Sequence, residues 1–180
     1  MALLVDVTIR LIEPAEYEAA SALSEAAYGA DYELSAEYRA NIRDVPGRAG
    51  EHEVWVAVDA AGTLLGTVAT ARPGGHIGGL AGPGEFDFRL LAVPPASRRL
   101  GIGRLLVAHV IGLARARGAV RVVMNSGPEM VAAHRLYADL GFSRLHDRET
   151  RIVDGRRLLA FGLDLESQPG PVHAVLVDEP

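Results

Sequence analysis

Apolar and polar residues alternate from Val5 to Leu11, the period of a half-buried strand. Glu13-Pro14 then opens a helix, with Pro14 near the first helical position. That helix runs to about Ala27, and Ala19, Ala20 and Leu23 supply its apolar side. A second helix is predicted from Ala36 to Arg43, stopping before Pro46. Val54 to Val58 and Leu64 to Thr70 form a hairpin around the turn residues Asp59-Ala60-Ala61-Gly62. Pro73 to Gly84 is glycine-rich and aperiodic, and reads first as a flexible connector. Its alternative reading is a lip over a binding site.

The second half has a stronger pattern. Phe86 to Val93 is an apolar strand, and the helix from Arg104 to Arg117 buries Leu106, Val110 and Leu113 along one stripe. Arg115 and Arg117 complement the dipole of its last turn, and Gly118 suits the position after it. Val120 to Met124 is β-branched and reads as a strand. Strand, helix and strand make a right-handed crossover, so the two strands should be parallel in one sheet. Ser126 is predicted to cap the next helix, with Glu129 as its capping-box partner. Gly141 ends that helix, and Phe142 can cover Tyr137 as in a Schellman motif. Ser143 to Thr150 and Arg157 to Leu165 read as a closing hairpin with a turn at Asp154-Gly155.

Between the central strand and its helix lies Arg98-Arg99-Leu100-Gly101-Ile102-Gly103. The first amides of a helix lack internal partners, and the helix dipole adds positive charge there, so a phosphate suits that point. Glycine at 101 and 103 lets the backbone approach a ligand closely. The turn is not a P-loop, because the chain has no lysine. Nor is it the dinucleotide fingerprint, since the order is R-x-x-G-x-G with no third glycine in register.

The flanks of this turn resemble the GNAT superfamily of acyl-CoA-dependent N-acetyltransferases. Asp87-Phe88-Arg89-Leu90-Leu91-Ala92-Val93-Pro94 looks like that family's fourth strand, leading into its pyrophosphate loop. Ala133-His134-Arg135-Leu136-Tyr137-Ala138-Asp139-Leu140-Gly141-Phe142 resembles its second signature, a helix carrying Leu-Tyr and closing on Gly-Phe. The resemblance is firm from about Val54 to Leu165, weaker over the first fifty residues and absent from the last fifteen. It implies an α/β fold whose mixed central sheet is flanked by helices, with acetyl-CoA as co-substrate. It also implies an acetyltransferase domain over 1–165, and 166–180 is then a C-terminal tail.

Composition narrows the classes. A chain of 180 residues with 49% hydrophobic and 23% charged content suits one soluble domain. A net charge of −5 argues against nonspecific nucleic-acid binding. No apolar run approaches a membrane span, and Asp6 interrupts any secretory h-region. The absence of cysteine excludes disulfides, thiolate metal sites and a cysteine nucleophile. A cytoplasmic protein is expected, without nucleic-acid or membrane partners, and a homodimer is left open.

Acyl transfer to an amine needs the donor held, the amine neutral, the carbonyl oxygen stabilised and the thiolate protonated. The backbone from Arg99 to Arg104 should face the pyrophosphate, and Arg98, Arg99 and Arg104 add charge. The resemblance implies that pantetheine lies beside Leu91, Ala92 and Val93, with the Val93 amide at the carbonyl oxygen. A bulge there would open the required slot, although nothing in the sequence marks one. A primary alkyl amine has a pKa near 10, so a base must deprotonate it. Asp87 matches the acidic position of many family members, and Glu85 lies two residues earlier on the same strand face. Both also read as ordinary solvent-facing acids.

Tyr137 matches the residue that protonates the leaving thiolate; its other reading is core packing under Phe142. Asn125 either bonds the pantetheine amides or forms an Asx turn. His134 reads as structural. The resemblance implies an acceptor site walled by the first two helices and the hairpin from Ser143 to Leu165; Tyr17, Tyr28, Tyr32, Tyr38 and Trp55 lie in or near the first wall, and Asp31 and Glu33 either attract a cationic amine or sit at the surface. A small-molecule or peptide amine is the expected acceptor. Two rivals remain: a noncatalytic acyl-CoA-binding module, and a transferase using another acyl-CoA or a hydroxyl acceptor.

Overall fold

The computed structural model describes residues 6–165. Val5 and the tail from 166 to 180 lie outside the described residues. Strand β1 (Thr8–Leu11) is followed by a 3-10 turn (Pro14–Glu16) and α1 (Tyr17–Gly29). Helix α2 (Ala36–Arg43) has the predicted bounds; the Ser35 hydroxyl caps it by accepting from the Tyr38 amide at 3.0 Å. Helix α3 (Val45–Glu51), absent from the sequence reading, carries Pro46 in its first turn and has an Asp44 cap that accepts from Gly47.

The remaining elements are β2 (Glu53–Val58), β3 (Leu64–Thr70), β4 (Glu85–Ala92), α4 (Ile102–Ala116), β5 (Arg121–Ser126) and α5 (Val131–Asp139), then the short strands β6 (Ser143–Arg144), β7 (Ile152–Val153) and β8 (Arg156–Arg157), and β9 (Leu159–Asp164). Seven strands form one sheet in the order β1-β2-β3-β4-β5-β9-β6, and β7 and β8 pair separately. Among the described residues, only β4 and β5 pair in parallel, as the crossover requires. Asp154 and Gly155 both have positive φ (49° and 73°), which fits the predicted two-residue hairpin turn. The first arm of the closing hairpin is broken, because β6 pairs with β9 for only two residues before a 3-10 turn intervenes.

Helices cover both faces. Alternation along β3 sends Val68 into the core under α4 and Ala69 into the core shared with α1 and α3. The start of α4 rests directly on β3 at Gly66. A Cβ there would lie 2.9 Å from Ile102 Cγ2 and 3.0 Å from both Leu106 Cδ1 and the Ala92 carbonyl oxygen. Glycine is required at 66 by that close approach.

Helix α4 ends in a Schellman motif at Gly118, with the Ala119 amide reaching the Ala114 carbonyl at 2.9 Å. Helix α5 ends likewise at Gly141 (φ 92°), with the Phe142 amide on the Tyr137 carbonyl at 2.9 Å. The predicted start of α5 is wrong. Ser126 is the last residue of β5, paired with Leu159, and Met130 precedes the helix without a side-chain cap. Pairing with β9 carries β5 two residues past its β-branched core, so Ser126 is not available as a cap. Among the described residues, no helix is long and apolar enough to cross a membrane.

Candidate active site

Gly101 adopts a left-handed conformation (φ 78°) and turns the chain into α4. The first bond of the helix runs from the Leu105 amide to the Gly101 carbonyl, at 3.0 Å. Among the described residues, the amides from Arg99 to Arg104 donate to no backbone carbonyl. Six consecutive donors therefore gather at the positive end of a 15-residue helix. The space beside them is tight, since a Cβ on Gly103 would lie 3.1 Å from Leu136 Cδ2.

Strand β4 carries the bulge that the sequence did not mark. Thr67 and Ala69 of β3 face Ala92 and Arg89 of β4, so Leu90 and Leu91 together oppose Val68 alone. Leu90 takes up the extra length at φ 53°, a left-handed value costly for leucine. The Tyr28 hydroxyl secures the distortion by donating to the Leu91 carbonyl at 3.1 Å. Parallel pairing between β4 and β5 ends at Asp87 and Val123, while β5 stays paired with β9 through Ser126. The two central strands consequently splay. The Val93 amide, just beyond β4, has no backbone acceptor among the described residues.

A cavity of about 430 Å³ opens on the splay. Its walls include Tyr28, Tyr32 and Tyr38 from the N-terminal helices, and Phe88 and Met124 from the parting strands. Gly78 and Leu80 of the glycine-rich loop close one side, so this loop is a lip rather than a free connector.

The sequence matches the Acetyltransferase (GNAT) family over residues 17–142. Among known proteins, an uncharacterized N-acetyltransferase of Schizosaccharomyces pombe is 38% identical over 87 residues, covering 48% of this chain and 49% of that one. The chain spans half or less of the length of the curated relatives it matches. A GNAT-family acetyltransferase from Staphylococcus aureus superposes with a TM-score of 0.70 at 12% identity, over 89% of this chain and 99% of that one. A Salmonella typhimurium protein solved with its cofactor acetyl-CoA superposes at 0.60 with 22% identity, over 92% and 98%.

The chain belongs to the GNAT acetyltransferase family. The match begins at Tyr17, so it takes in the N-terminal helices where the sequence resemblance was weak.

Within this GNAT fold the expected site residues divide. Asp87 lines the cavity and is 1% exposed; its carboxylate accepts the Ile77 amide at 3.0 Å and the Gly78 amide at 2.7 Å. Glu85, expected as an alternative base, does not line the cavity. Arg148 grips both of its oxygens at 2.8 Å, the Gly82 amide donates to it, and these bonds hold its carboxyl below the usual range. It ties the lip to the 3-10 turn after β6. Arg98 is also committed elsewhere. It reaches Asp31 at 2.6 Å and the Ala27 carbonyl at 3.1 Å, binding the end of α1 to the turn. Asp31 is thus an arginine partner and not an amine lure. Arg104 meets Asp139 at 3.4 Å, and Arg99 and Leu100 are exposed.

Asn125 lies inside β5, lines the cavity and donates to the Leu159 carbonyl at 3.3 Å, so it forms no Asx turn. Tyr137 is 3% exposed and, like Glu85, does not line the cavity; Phe142 and Phe161 lie at 5.7 Å and the cavity-lining Phe88 at 6.3 Å between ring centroids. Burial pushes its phenol well above the ordinary value of 10.0, with a smaller push from Tyr32. That shift carries it further from a thiol's value of roughly 8.5. Tyr17 and Trp55 leave the acceptor wall: Tyr17 packs with Val45 and Val54, and Trp55 stacks edge-on against His109 at 4.4 Å.

Two cavity features were missed. His134 Nε2 sits 3.1 Å from the Ser126 hydroxyl, and Ser126 lines the cavity. No local pattern signals a contact made between a strand end and the next helix. The other is Arg89, on the cavity wall between Phe88 and Leu90. Its signal was present as a lone cation inside an otherwise apolar strand segment.

Proposed function

We propose that the chain is an N-acetyltransferase that moves an acetyl group from acetyl-CoA directly to an amine held in the cavity. Residues 1–165 are its transferase unit, 166–180 are a tail, and the reaction belongs in the cytoplasm. The observation that carries the reading is the run of six unpartnered amides at 99–104 beside a bulged strand. Free amides at a helix start suit a pyrophosphate, and they need no help from Arg98 and Arg104, which the fold has paired elsewhere. Acetyl-CoA supplies the activated acetyl group when bound, and the splay between β4 and β5 is where its thioester can meet the acceptor.

The free amide of Val93 is suited to the oxygen of the tetrahedral intermediate, a role worth about 3 kcal/mol where single donors have been removed from comparable sites. Asp87 takes the amine proton, directly or through water. Each of its oxygens holds one loop amide and keeps a second lone pair. Tyr137 stays protonated in its aromatic enclosure and can donate a hydrogen bond to the departing sulfur. Its raised pKa makes full transfer to the thiolate unfavourable, so solvent completes that protonation.

A panel of amines with acetyl-CoA, followed by release of free thiol, tests the proposal. Amine-dependent thiol release with one-to-one acetylated product is expected. Coenzyme A binding without turnover on any amine would mark a noncatalytic module instead. No affinity for any coenzyme A species would end the reading altogether.

A further inference from the structure

Most arginines of the described chain are spoken for. Those that are partly buried pair with carboxylates or donate to carbonyls: Arg117 to Glu53, Arg148 to Glu85, Arg48 to Asn41 and Ile42, Arg151 to Gly78. Arg99, Arg115 and Arg135 have no partner, but they are exposed to solvent. Arg89 alone is half-buried with neither an ion pair nor a hydrogen bond among the described residues. Its stem runs past Gly78, whose Cβ would lie 3.6 Å from Arg89 Cγ and Cδ, and its head opens on the cavity.

The surroundings do not neutralise it. Burial and the neighbouring Arg151 both disfavour its charge, and Tyr38, Tyr28 and Asp87 oppose them only partly. Asp87 spends its carboxylate on two loop amides, and Arg48 is a further cation whose charge and that of Arg89 oppose each other. The cavity's remaining acids are exposed at its rim: Glu33, Glu129 held by Arg156, and Asp154 accepting from Ser35. A half-buried guanidinium with no protein partner keeps its fork of donors free for a ligand anion.

We propose that the acceptor amine carries an anionic group, a carboxylate in the first instance, that docks on Arg89, with its apolar body against Tyr28, Tyr38 and Phe88. A planar fork of donors in an aromatic-walled cavity suits a carboxylate. The inference rests on the transferase reading for the reaction, but not for the binding.

The test compares matched pairs with and without the carboxylate: leucine against isoamylamine, phenylalanine against phenethylamine, 4-aminobutyrate against propylamine. At least one acid should be preferred tenfold or more in kcat/KM, and Arg89→Gln should collapse that preference ratio. Phenylacetate should bind more tightly than phenylacetamide by calorimetry, and Arg89→Gln should abolish the difference. The melting temperature of Arg89→Gln should hold or rise, whereas a structural arginine would lower it. Carboxylate-dependent binding with no thiol release from any amine would defeat the transferase reading and leave the anion site standing. Equal or better use of the uncharged amines in every pair, or a preference unchanged in Arg89→Gln, overturns the proposal.

Discussion

Asp87 Oδ2 lies 2.7 Å from the amide nitrogen of Gly78, and that bond, with the Ile77 amide on Oδ1 at 3.0 Å, holds the glycine-rich lip over the cavity. The same carboxylate is thus asked both to anchor a loop and to take a proton. Asp87→Asn separates the roles. Asparagine offers one oxygen to two loop donors, leaving a buried amide unmet at a cost of about 1–3 kcal/mol. Hydrogen exchange at residues 77 and 78 should speed up. If Asp87 is also the base, the variant should retain acceptors of low amine pKa and lose those of high pKa, which a series of substituted amines would read as a changed Brønsted slope. A pure anchor would lower every acceptor by the same factor.

Tyr137→Phe removes a hydroxyl and leaves the packing against Phe88, Phe142 and Phe161 intact. We expect kcat to fall by about tenfold to a hundredfold, at or below the lower end of general-acid contributions, because the phenol donates a hydrogen bond without giving up its proton. Coenzyme A affinity by calorimetry and the melting temperature should hold. Because burial raises the phenol's pKa, the folded protein keeps that proton above pH 10.0, where an unfolded tyrosine would lose it. The wild type should therefore lose stability relative to Tyr137→Phe as pH rises through that value. Parallel loss of affinity and turnover would reduce Tyr137 to a core residue.

What could be read in the sequence was local. Gly141 and Phe142 announced the end of α5, and Asp154-Gly155 announced its turn, because helix ends and positive-φ turns are built from adjacent residues. Helix α3 hid because Val45-Pro46-Gly47-Arg48-Ala49-Gly50-Glu51 has no apolar stripe; Asp44 and Pro46 start it, and packing of Val45 holds it. The bulge hid because leucine at 90 carries no mark of a left-handed backbone, and the bond that secures its neighbour comes from Tyr28, 63 residues away. Arg98 was misread for the same reason, its carboxylate partner Asp31 being 67 residues distant. The site's chemistry was visible as residue types; which of them were free to act was decided by contacts distant in sequence.

Gly66→Ala tests whether β3 positions the amide cluster. The new methyl would press on Ile102 Cγ2 and Leu106 Cδ1, the first two buried positions of α4, and on the Ala92 carbonyl oxygen. One flank is backbone and cannot rotate away, so α4 must shift. Overpacking of this kind costs about 1–3 kcal/mol. Urea titration should show that loss, and coenzyme A affinity should weaken with it. Unchanged affinity at reduced stability would mean that the amides at 99–104 keep their arrangement without support from Gly66.

The clamp between Glu85 and Arg148 gives an acid signature. Arg148 donates to both Glu85 oxygens at 2.8 Å, the Gly82 amide adds a third bond at 2.8 Å, and Arg121 stands at 3.6 Å. The pair is mostly buried, with side-chain exposures of 25% for Arg148 and 11% for Glu85. These contacts, Arg148 first, hold the carboxyl below its ordinary value of 4.5. A depressed carboxyl contributes stability in full above the unfolded value, and loses it as pH falls through the lower folded one. Arg148→Met should therefore cost about 2 kcal/mol at pH 7, the scale of hydrogen bonds to charged groups. The gap to wild type should narrow as pH drops below 4.5, since protonated Glu85 no longer gains from the guanidinium. Arg148 also donates to the Leu80 carbonyl, a contact indifferent to pH, so some difference should persist at the lowest pH. A gap of constant size in urea titrations from pH 7 to pH 3 would show that the carbonyl bond, and not the carboxylate pair, fastens the lip.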